Sequence, residues 1–152
     1  MLKSIKEFFE SRTGSASQSG HTADNSSLEL AAAVLMVEIS LADSEIQDEE
    51  REVIINALEN QFHLPAEDTE TIFDLATREA DHAVSLHGFT SLLNKTMSYE
   101  EKVKIIELLW HVAYADAVLD KYEEYFVRKI SDLLYVSHSD YIKAKHRATE
   151  QL

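Results

Sequence analysis

A repeated corner restricts this chain's fold more than any other feature. The stretch LADSEIQDEEREVI, residues 41–54, returns as YADAVLDKYEEYFV, residues 114–127. In one constant register Leu35 pairs with Leu108, Ile39 with Val112, Ala42 with Ala115 and Asp43 with Asp116. The same register pairs Ile46 with Leu119, Glu50 with Glu123 and Val53 with Phe126. Each copy reads as a buried helix, a short acidic corner and an amphipathic helix, and a third helix follows each. Two related three-helix units pack most economically as a pseudo-twofold bundle. Two copies are too few for a solenoid.

The rest of the chain agrees with an all-α fold. Among 152 residues there are three glycines and one proline, which favours helices joined by short corners. The expectation is a single helical bundle of about six to seven helices over residues 28–152, with repeats at about 28–82 and 98–148. Leu30, Val34, Val37 and Leu41 form a helical stripe, and AAAVLMVEISLA is apolar enough to require burial on most sides. Pro65 is placed as the first residue of a helix, PAEDTETIFDLATREADHAV, with Ile72, Leu75 and Ala76 inward. A shorter helical piece follows around Gly88–Lys95. Ser98 and Glu101 form a capping box that opens what reads as the longest helix, and Ser137 with Asp140 caps the last.

Residues 1–27 divide into MLKSIKEFFE and a Ser/Gly-rich stretch that reads as a flexible linker. In the first part Leu2, Ile5, Phe8 and Phe9 share a helical face. That face would either fold back on the domain or make weak peripheral contact with a membrane. No apolar run is long enough to span a bilayer, and no secretory h-region is present, so a cytoplasmic protein is the expectation. The absence of cysteine excludes disulfides, thiolate metal sites and cysteine nucleophiles.

The net charge is −14, with 28 acidic residues against 14 basic ones. Such a surface repels phosphate backbones, so no nucleic acid is expected, and a cation or a basic protein partner is favoured. The corners supply much of the acid. Residues 43–52 hold six carboxylates against Arg51, and residues 116–124 hold four against Lys121. An EF-hand reading of the corner fails, because loop positions 1 and 3 would be Ile39 and Leu41, or Val112 and Tyr114. Asp43, Glu50, Asp116 and Glu123 suit two roles: capping the corner helices, or gripping a divalent metal with His111 as a further candidate ligand. Glu45, Asp48, Glu49, Glu52, Asp120 and Glu124 are then freer to face a protein partner.

The motif A-D-x-x-[IL]-x-x-x-E between two apolar helices, present twice, resembles the TerB family of tellurite-resistance proteins. The stretch LLWHVAYADAVLDKYEEYFVRKISDLLYVSHSDYIKAK is similar to the stand-alone TerB-like proteins of proteobacteria. The likeness covers roughly residues 28–148. It implies an all-α bundle, no catalysis, and metal or partner binding in stress-response assemblies. The family corner usually carries Gly after the Asp, where this chain has Ser44 and Ala117; a left-handed residue there would cost about 1 kcal/mol.

Other chemistry finds little footing. Glu107 and His111 lie four apart, whereas bundle di-metal sites use Glu-x-x-His on two helices. A satisfied buried histidine is the plainer reading. There is no H-E-x-x-H, no P-loop and no nucleotide fingerprint. Ser137, His138 and Asp140 are neighbours on one helix and cannot converge as a triad. Trp110, Tyr114, Tyr122, Tyr125 and Phe126 have core spacing. No enzyme is expected, and no fixed cofactor is implied beyond a candidate divalent cation.

Overall fold

The computed structural model describes residues 7–11, 25–43, 48–62, 64–79, 81–115 and 120–150. They form eight helices and, among the described residues, no strand. These are α1 (residues 7–11), α2 (Asn25–Asp43), α3 (Asp48–Gln61), α4 (Ala66–Thr77), α5 (His82–Thr96), α6 (Tyr99–Ala115), α7 (Asp120–Leu133) and α8 (His138–Glu150).

Burial follows apolar content. In α2 every side chain from Ala31 to Ile39 has no exposed surface, Glu38 included. This helix has 19 residues and α6 has 17, so α2 rather than the helix opening at Ser98 is the longest. It packs against α4, α5, α6 and α7, while α6 packs against α2, α3, α7 and α8. The buried faces of α4 (Ile72, Phe73, Leu75, Ala76) and α5 (Leu86, Phe89, Leu93) close the same core.

Two further sequence expectations need correction. Pro65 is not inside its helix: its φ of −59° and ψ of 143° make it the N-cap, and its carbonyl accepts from the Asp68 and Thr69 N–H groups. The helix it introduces does not run on through Asp81. It ends at Thr77, and Asp81 starts α5 by accepting from the Val84 N–H at 3.2 Å. A short polar side chain that can bond the third N–H ahead stops one helix and starts the next. The piece around Gly88–Lys95 is therefore the second half of a helix of 15 residues. The N-terminal segment follows one of its expected courses. Phe8 and Phe9 are buried, and Phe9 meets Phe89 edge-on with ring centroids 5.1 Å apart. Of its two readings, residues 7–11 take the fold-back.

The expected caps form. Ser98 N–H donates to Glu101 Oε1 at 2.8 Å, and Glu101 N–H donates back to Ser98 Oγ at 3.2 Å. Ser137 Oγ accepts from Asp140 N–H at 3.2 Å. Tyr99, the first residue of α6, reinforces that end: its hydroxyl donates to Asp140 Oδ2 at 2.6 Å and accepts from Ser137 N–H at 3.1 Å. This donated bond, more than any other contact, holds the Asp140 carboxyl below its usual range.

The turn after α7 is a Schellman motif, in which Val136 N–H reaches the Ser131 carbonyl and Tyr135 N–H reaches that of Asp132. Tyr135 stands at φ 58°, with 77% of its surface exposed. A side chain in the left-handed region costs about 1 kcal/mol, and this one recovers little by packing. Tyr135→Gly is expected to raise the melting temperature by a few degrees, measured by circular dichroism.

Candidate functional site

The most unusual chemistry inside the bundle belongs to two carboxyl groups. Glu38 lies on the buried helix α2 and has no exposed surface. No N–H or O–H donor from the rest of the protein reaches either of its buried oxygens, nor Oε2 of Glu79, two residues beyond the end of α4. The two groups face each other. Burial, then the charge of Glu79 and a hydrogen bond to it, pushes the Glu38 carboxyl up to about 9. Two carboxylates have no donor between them; a proton on Glu38 supplies one. At neutral pH Glu38 therefore holds its proton.

Glu38 stands at the repeat position of His111, and no local pattern singles out Glu79. One signal was present: a lone acid in the middle of AAAVLMVEISLA, which burial on all sides leaves without water. Its partner Glu79 gives no such signal, because helical periodicity runs straight through it.

Another buried acid, on α6, offers a contrast. Glu107 on α6 is 5% exposed, but its Oε2 accepts from Arg147 Nε of α8 at 3.4 Å and lies 3.6 Å from Lys104 Nζ. Burial lowers the pKa of half-buried His111; the Glu107 charge opposes that shift and Lys104 adds to it. Two cations thus lie beside Glu107.

The corner residues are only partly in view. Glu45 and Asp116 lie outside the described residues, as do the side chains of Asp43, Asp48, Glu49, Glu50, Asp120, Glu123 and Glu124. Glu52 is described and exposed. The base in the first corner, Arg51, is turned to α4: its guanidinium meets Asp74 Oδ1 at 2.7 Å and sits 5.5 Å over the Phe73 ring. Among the described residues no three His, Asp or Glu side chains converge as metal ligands. The aromatic set also divides. Trp110 and Phe126 are buried, Trp110 packing on Tyr141 at 5.4 Å, whereas Tyr125 is 59% exposed rather than core. The side chains of Tyr114 and Tyr122 lie outside the described residues.

These features define an acidic all-α bundle with one unneutralised carboxyl pair in its interior. Its membership can be stated. The model of the family described as "Tellurite resistance protein TerB" matches residues 29–146, and the chain belongs to that family. No curated protein and no solved structure matches the chain significantly. Among the described residues no helix is long and apolar enough to cross a membrane.

Proposed function

We propose that the chain is a non-catalytic binding domain whose two acidic corners engage a basic protein partner, in the stress or tellurite-resistance setting of its family. The observation that carries this reading is the placement of Arg51. The corner's own base is committed to Asp74 and Phe73 of α4, which leaves the acids of residues 43–52 less neutralised than their sequence suggests. Support also comes from the packing pairs. The helices that lead into the two corners, α2 and α6, pack on each other, and α2 meets α7 as α6 meets α3. Such reciprocity is what exchanging two repeat units would generate.

The test is a pull-down from the native cell with two variants. In the first, Glu45, Asp48, Glu49, Glu52, Asp120 and Glu124 become Gln or Asn. Partners retained by the wild type at low salt are expected to be lost from this variant, with its helical signal unchanged. An unchanged set of partners would overturn the reading. In the second variant Asp43, Glu50, Asp116 and Glu123 are replaced together. Unfolding of that protein assigns those four to capping; a folded protein without partners assigns them to the binding face.

A further inference from the structure

We propose that the outer face of α7 pairs with the same face of a second copy of this chain, the two helices running antiparallel. This surface goes beyond the role of the corners and does not rest on it. The face is a row of four exposed residues, Tyr125, Arg128, Asp132 and Tyr135. At 3.6 residues per turn the first three fall within an arc of about 60°. They stand opposite the buried Phe126, Val127, Ile130 and Leu134. Tyr135 continues the row just past the helix end. Tyr125 and Tyr135 are 59% and 77% exposed. Among the described residues, Arg128 and Asp132 have neither an ion pair nor a side-chain hydrogen bond.

The order of the row makes it complementary to itself. Both pairs are centred on Ile130: Arg128 and Asp132 stand two residues to either side of it, Tyr125 and Tyr135 five. A twofold axis at that point brings Arg128 to the partner's Asp132 and Tyr125 to the partner's Tyr135, each contact made twice. A parallel pairing would instead set like charge on like. The residue types agree, since Tyr and Arg are enriched among contacts that carry binding energy. Tyr135 adds an independent observation. At φ 58° it fills the place in a Schellman turn that Gly usually takes, so the fold bears strain to hold an aromatic ring out in solvent. Pairing gives that ring a surface to cover. One helix face lies at the small end of interface size, and the −14 charge of each copy opposes approach. The dimer is therefore a weak one, favoured by salt that screens the long-range repulsion.

The experiment is sedimentation velocity of the full chain at physiological salt, from micromolar to near-millimolar concentration. The expected result is a shift from monomer to dimer as concentration rises. Arg128→Asp and Asp132→Arg each set like charges together and should weaken association by roughly tenfold or more. The two changes combined let opposite charges meet again and should restore it. Tyr125→Ser should weaken association by a similar factor, and so should Tyr135→Gly even though it relieves strain in the monomer. Circular dichroism of each variant checks that these exposed positions leave the helices intact. A monomer at every concentration overturns the proposal, as does a dimer indifferent to all four single variants. A charge swap that fails to restore a lost dimer overturns it as well, because only the antiparallel register returns opposite charges to each other.

Discussion

Glu38→Gln is expected to make the protein more stable at alkaline pH, with a gain over the wild type that shrinks as pH falls. The sign follows from linkage. Burial and the neighbouring Glu79 raise the folded-state pKa of Glu38 from an ordinary 4.5 to about 9. Between those limits the native state holds a proton that the unfolded chain has lost, so native stability falls as pH rises. The favourable contribution is complete below about pH 4.5 and is gone above about 9. The slope has a one-proton limit of about 1.4 kcal/mol per pH unit, which amounts to several kcal/mol by neutral pH. Gln carries the same shape without the titration. Its unfolding free energy minus that of the wild type therefore isolates Glu38 from the other carboxylates, whose pH dependence the two proteins share. Thermal melts in cation-free buffer from about pH 4 to 9 check this. For a chain of this size about 1 kcal/mol moves the melting temperature by roughly 2–4 °C, so the divergence is easily read. A difference that stayed constant across the range would remove Glu38 as the buried acid.

That a natural bundle keeps such a group says something about which parts of this structure its sequence could announce. Periodicity and capping chemistry are local, and they were legible. The run Ala31–Val37 demanded burial and is wholly buried; Ile72, Leu75 and Ala76 face inward; Ser98 and Glu101 cap each other as their spacing implied. The break at residues 78–81 was less legible, because Asp81 acts as a cap only when the chain actually turns there, and helical periodicity alone runs straight through it. Glu38 shows the same limit in the site. A single acid in an apolar helix signals an interior polar group, but its partner Glu79 arrives through tertiary packing of α2 on α4. Arg147, which neutralises Glu107, comes from 40 residues further along the chain. No spacing rule reaches that far.

The N-terminal segment provides the second large effect. Phe9→Ala is expected to cost about 3–5 kcal/mol, the usual range for truncating a buried aromatic ring. Were the segment a free amphipathic tether, the same substitution would fall within about 0.5 kcal/mol. Phe9 is 5% exposed and Phe8 is 3% exposed. The edge-on contact with Phe89 adds a term that a double-mutant cycle can read: Phe9→Ala and Phe89→Ala together should cost less than their sum, by about 0.5–1.5 kcal/mol. The membrane question turns on the same rings. Insertion into a bilayer would require Phe8 and Phe9 to leave the core, so any gain from lipid contact must first exceed the energy lost there. Peripheral attachment is weak for a segment with two large apolar side chains, and a stably packed Phe9 opposes it further. Full-length protein and a variant lacking residues 1–11 are therefore expected to sediment with liposomes to the same small extent. A Phe9→Ala protein that keeps wild-type stability, together with full-length protein that pellets with lipid, would reverse the assignment and make the segment a tether.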